Sequence, residues 1–117
     1  GSWARLYDQL QGIKAGTLKN RATAFEEVRR LLDDEALCEQ ITAHNTEVEA
    51  QPSAWGEVCC TTLEGIEWML KNTRAQNLAH VIQRPLAVLR MVVSISGGAE
   101  GLHSTRVTKR ILEFCFD

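Results

Sequence analysis

Two cations stand where a helix should repel them. In TLKNRATAFEEVRRLLDD, residues 17 to 34, Thr17 has the side chain of an N-cap, able to accept a free backbone N–H of the first turn. Lys19 and Arg21 follow within that turn, where the helix dipole disfavours each exposed cation by about 0.3–1 kcal/mol. They are tolerable if an acidic group lies against them. Glu64 and Glu67 of a later helix are the internal candidates, and an acidic partner is the external one. Lys14, Arg29 and Arg30 extend this basic set. A second set, Arg106, Lys109 and Arg110, is spaced i, i+3, i+4 and so shares one helix face. Such clusters bind phosphate or acidic partners in a salt-dependent way, or serve simply as solvated faces. No aromatic residue interleaves either set, which argues against stacking on single-stranded nucleic acid.

Other chemistry is sparse. Asp33, Asp34 and Glu35 are consecutive, so on a helix they point in different directions and read as a solvated helix end. His80 has no nucleophile near it in sequence, and His44 and His103 fall in loops or at helix boundaries. Cys38, Cys59, Cys60 and Cys115 form no C-x-x-C and share no ligand spacing with the histidines, so reduced, mostly buried thiols are expected, in an intracellular setting. GGAEG lacks the lysine and hydroxyl of a phosphate-binding loop, and no H-R-D or D-F-G kinase element occurs. Neither catalysis nor a cofactor or metal site is expected in this chain.

The elements that must position these residues are helical throughout. Trp3, Leu6, Tyr7 and Leu10 step by three and four, predicting a first helix that ends near Gly12 or Gly16. Leu18, Ala22, Phe25, Val28, Leu31 and Leu32 predict a second, with Glu26 paired to Arg30. Leu37 and Ile41 mark a short third. Ser53 is placed to cap a long fourth helix carrying Trp55, Val58, Cys59, Thr62, Leu63, Ile66, Met69 and Leu70. Leu78 to Val93 form the next, with Pro85 expected to kink or split it. Ser104 or Thr105 opens a last helix through Val107, Ile111, Leu112 and Cys115. The tryptophans sit on apolar stripes and read as core, Trp68 lying off the main stripe as a possible exposed contact. No strand alternation appears. The expected fold is all-α, an antiparallel bundle or a short HEAT-like solenoid segment of five to six helices.

The chain of 117 residues, 44% hydrophobic and 24% charged, has the composition of one globular domain spanning 1–117. Gly1-Ser2 reads as a cloning remnant, and the apolar ending ILEFCFD as the cut edge of a longer protein. A net charge of −2 runs against a dedicated nucleic-acid binder. No stretch approaches the roughly 18 apolar residues of a membrane span, so no membrane partner is expected.

IKAGTLKNRATAFEEVRRLL, residues 13 to 32, resembles the TAN motif at the extreme N-terminus of ATM-type protein kinases, the phosphatidylinositol-3-kinase-related enzymes. Ile13, Leu18, Lys19, Arg21, Phe25, Val28, Leu31 and Leu32 fall on its positions without a gap. Asn20 stands where an acidic residue is usual, and Thr17 where a basic one is common. SAWGEVCCTTLEGIEWMLKN and the two segments after it resemble the family's following helices in layout. The resemblance implies the first piece of an N-terminal α-solenoid. It further implies a nuclear parent with serine/threonine kinase activity far downstream, active in DNA-damage signalling and telomere maintenance. The sensitive positions carried over are Ile13, Lys19, Arg21, Phe25, Val28, Leu31 and Leu32.

The leading expectation is therefore a protein-interaction or recruitment module, its partner a DNA-end sensing complex or the remainder of the parent kinase. The alternatives are a DNA-contacting module using the basic faces and a purely structural solenoid cap.

Overall fold

Thr17 caps the helix that follows it. In the computed structural model, which describes residues 2–43 and 54–95, its side chain accepts the backbone N–H of Asn20 at 3.2 Å. Five helices are described: α1 (Ser2–Lys14), α2 (Leu18–Leu32), α3 (Glu35–Ala43), α4 (Ala54–Asn72) and α5 (Ala75–Ile95). No strand occurs among the described residues. The expected caps at Ser53 and at Ser104 or Thr105, and the last helix with Arg106, Lys109 and Arg110, lie outside them.

Short connections make antiparallel neighbours of α1 and α2 and of α4 and α5. The chain reverses after α1 at Gly16, whose φ of +97° is one that glycine adopts without strain. The two hairpins stack, α2 on α5 and α1 on α4, while α3 closes one end against α1, α2 and α4. The result is a compact all-α bundle. Asp34 accounts for one of the three neighbouring carboxylates: it starts α3 by accepting the N–H of Ala36 at 2.9 Å.

The core is built where the helical stripes meet. Leu6, Leu10 and Ile13 of α1 face Ala24, Phe25, Val28 and Leu32 of α2, with Val58, Leu63, Ile66 and Met69 of α4 beneath them. Trp55 is buried, and its indole N–H donates to the Thr42 hydroxyl at 3.0 Å, tying α4 to α3. Closest approach occurs at Gly65. A Cβ there would lie 2.5 Å from Ile13 Cγ2 and 2.6 Å from Phe25 Cζ, so only hydrogen at this position lets α4 sit against both α1 and α2.

Four sequence expectations are corrected. Trp3 and Tyr7 are 39% and 49% exposed, because the buried stripe of α1 is the narrower Leu6–Leu10–Ile13 series. Leu70 is 46% exposed for a similar reason, lying one residue past the buried Met69. Glu26 pairs with Arg84 of α5 rather than with Arg30, which bonds Glu27 instead at 3.0 Å. Of the kink or split expected at Pro85, the split does not occur: α5 runs unbroken from Ala75 to Ile95, with Pro85 buried. Packing supplies what the lost ladder bond withdraws.

Gly65→Ala is expected to destabilise the fold by about 1–3 kcal/mol, overpacking outweighing the helix propensity gained. Gly12→Ala, whose Cβ would meet only the Ala24 Cβ at 3.2 Å, is expected to change stability far less. Urea unfolding of the two variants beside the parent sequence measures the difference.

Candidate functional site

Arg21 begins the buried stripe of α2. Positions 21, 24, 25, 28 and 32 face inward, a three-and-four spacing whose first member is an arginine that is only 8% exposed. Its Nη1 donates to the Ile13 carbonyl at 2.9 Å and its Nε to the Gly16 carbonyl at 3.0 Å. The guanidinium lies over the Trp68 ring, 3.8 Å from the centroid.

These contacts explain the cation in the first turn. Ile13 is among the last residues of α1, whose final carbonyls have no intrahelical donor and carry partial negative charge. The fork of Arg21 supplies donors to that end and to the turn beyond it. Electrostatically the residue belongs to the helix before its own. Where the sequence pointed to a carboxylate, two peptide oxygens and an indole face are found. Trp68, which read as core with an exposed contact as the alternative, is half-buried and packs on the core as the roof of this joint.

The remaining positions of the motif divide cleanly. Ile13, Phe25 and Val28 are fully buried, Leu32 is 2% exposed, and Leu31 is half-buried against the core. Ile13 and Phe25 both touch the gap held open by Gly65, and Trp68 lies on the same face of α4, one turn on. Motif and α4 thus form one joint. Lys19 stands apart. It is exposed, its carbonyl accepts the Thr23 hydroxyl at 3.0 Å, and its ammonium has no carboxylate within ion-pair reach among the described residues. It borders a groove between α2 and α5, shared with Glu26, His80 and Arg84.

Of the wider basic set, Lys14 pairs with Glu57 at 3.1 Å and Arg30 with Glu27. Arg5 also reaches Glu27, at 3.5 Å. These surface pairs consume part of the positive charge that a nucleic-acid surface would need.

Cys38 and Cys59 are not arranged as nucleophiles. Cys38 borders a surface cavity of about 640 Å³ with Leu32, Glu35, Glu39, Thr42 and Ala43. Its thiol donates to the Leu32 carbonyl at 3.2 Å. Burial raises its pKa, and the charges of Asp34, Asp33 and Glu35 raise it further. Cys59, within α4, is pushed up to about 12 by burial and by neighbouring Cys60. Reactive thiols need the opposite shift. Among the described residues no group of three or more His, Cys, Asp or Glu side chains is placed to hold a metal ion. No described helix is long and apolar enough to cross a membrane.

Comparison with protein-family models, with curated proteins and with solved structures returns no match. The burial of Arg21 was signalled by periodicity, since stepping back from Val28 by three, four and seven lands on Phe25, Ala24 and position 21.

Arg21→Ala is expected to lower stability by about 2–4 kcal/mol, through two lost charge-assisted bonds and the lost stacking. Arg21→Lys recovers little, because one ammonium cannot span both carbonyls and cover the ring. Lys19→Ala is expected to leave stability unchanged or slightly raised. Thermal unfolding separates these cases, about 1 kcal/mol corresponding to roughly 3–6 °C for a domain of this size.

The raised Cys59 thiol has a pH consequence. The folded chain keeps a proton that the unfolded chain releases above the ordinary value of 9.0. Its contribution is complete below that pH and declines as pH rises towards about 12, by at most about 1.4 kcal/mol per unit for one group. Cys59→Ala is expected to lose stability at neutral pH through its cavity. Between pH 9 and roughly 11 its stability should then fall less steeply than that of the parent sequence, as read by urea unfolding at several pH values.

Proposed function

We propose that this chain is a helical protein-interaction module, the TAN-motif N-terminal segment of a nuclear, ATM-type serine/threonine kinase. On this reading its parent acts in the DNA-damage response and telomere maintenance, with catalysis carried elsewhere in that protein. The all-α bundle suits the first turns of a solenoid. The observation that carries the reading is the division of labour within the motif. Six of its seven positions serve the interior of one joint, and the seventh, Lys19, is turned outward at the edge of a groove. A motif serving the fold alone has no use for an unpaired cation in a helix's first turn.

Two other readings are separable. A structural solenoid cap is favoured by Arg21, whose bonds lie within the chain. A DNA-contacting module draws on the basic faces, but Arg5, Lys14, Arg30 and Arg84 are engaged with carboxylates, and Arg106, Lys109 and Arg110 lie outside the described residues.

The test is made in the full-length parent, with residues 3–95 deleted. The interaction reading expects phosphorylation of a peptide substrate to persist in the purified enzyme while accumulation at DNA breaks in cells is lost. Accumulation of the deleted enzyme at the level of the intact one overturns it. Joint loss of kinase activity and accumulation would make the segment a structural cap. Duplex DNA bound by the 117-residue chain, with affinity falling steeply between low and moderate salt, would favour the DNA reading instead.

A further inference from the structure

The groove beside Lys19 is the feature that neither the core nor the Arg21 joint uses. It has a volume of about 480 Å³ and runs between the first half of α2 and the middle of α5. Ala22, Val81 and Pro85 give it an apolar lining, and Lys19, His80 and Arg84 give it basic groups against the single carboxylate of Glu26. That carboxylate is already spent, because Arg84 bonds it across the groove. What remains is the Lys19 ammonium and the His80 imidazole, neither with a hydrogen-bond or ion-pair partner among the described residues.

We propose that this groove docks an acidic segment of a partner protein, with a glutamate or aspartate side chain seated on Lys19 and aliphatic parts of the segment on Ala22, Val81 and Pro85. The proposal rests on the protein-interaction reading and names the chemistry of its partner. Charge complementarity selects the class. A phosphorylated segment would call for the bidentate fork of an unengaged arginine, and the arginine of this groove is held by Glu26. Duplex nucleic acid would call for a row of unpaired cations, whereas the groove offers the single unpaired lysine Lys19, its arginine being held by Glu26. A lysine ammonium is a point charge that suits a lone carboxylate. The apolar lining adds contact area that a free ion would not use.

The 117-residue chain, labelled with nitrogen-15, is titrated with a synthetic peptide of alternating glutamate and leucine or alanine, and with the same peptide carrying glutamine for glutamate. Amide shifts confined to 19–26 and 80–84 are expected with the acidic peptide. They should weaken about tenfold or more, some 1.4 kcal/mol, with the glutamine peptide and in Lys19→Gln. Lys19→Glu should abolish binding while the rest of the spectrum stays in place and thermal stability holds or rises, which separates a contact from a structural role. Shifts absent at millimolar peptide, or undiminished in Lys19→Gln, overturn the proposal. Stronger shifts of these same amides with inorganic phosphate or with a duplex oligonucleotide overturn the choice of an acidic protein segment. An empty groove together with lost recruitment of the deleted parent would sink this docking site alone. Normal recruitment of that parent would sink the interaction reading itself.

Discussion

The contact on which the bundle depends is the one between Arg21 and the end of the helix before it. A helix that stops inside a protein leaves carbonyls without donors, and burying them unpaired is expensive. Here one side chain from the next helix answers both the Ile13 and the Gly16 carbonyls. The positive φ of Gly16 brings the chain round within three residues, so the side chain that closes α1 is carried by the helix that α1 leads into. Direction of turn, end of helix and start of helix are thereby one decision. Trp68 then covers the cation with a ring face, which removes water from the bonds beneath and raises their worth.

The rest of the packing follows from that joint. With α1 and α2 held as a hairpin, Ile13 and Phe25 present a shared surface, and α4 approaches it at the one residue without a side chain. Gly65 and Trp68 lie a turn apart on that helix, one yielding space and the other filling it. A larger residue at 65 would push α4 away from Ile13 and Phe25, and it would lift the indole from Arg21 in the same movement. The apolar and the charged parts of the motif are therefore coupled mechanically, which is why they cluster so tightly in sequence.

How far the sequence carried the reading depends on the range of the interaction. Helices were legible because their signals are local: Thr17 as a cap, the three-and-four spacing of Leu6, Leu10 and Ile13, the short turns between elements. Side chains whose fate is set by another helix were not. Glu26 has a good partner in Arg30 on its own helix, yet it reaches Arg84, fifty-eight residues away in sequence, because α5 happens to pass there. Trp3 and Tyr7 share the helical spacing of the core but not its facing, and no local rule places a neighbour over them. Pro85 breaks a helix in isolation and not in a bundle, where burial on both flanks offsets one missing bond. The polarity of Arg21 hid it from a search for apolar stripes, although its position was on the stripe all along.

Sequences that fold well satisfy local and global preferences together, and the exceptions carry information. Three local rules are broken in the described residues: a cation at position 19, a cation at position 21, and a proline in the middle of α5. The second is repaired within the chain, since Arg21 finds the negative end of α1. The third is offset by packing, since Pro85 is buried within an unbroken α5. The first has no such repair, because Lys19 meets no carboxylate within ion-pair reach among the described residues. Lys19 and Pro85 border the same groove, on helices that are remote in sequence and adjacent only after folding. Their convergence is what a binding surface requires of a scaffold: an unpaired cation beside an apolar wall, held in place by a core that does not depend on the cation being paired.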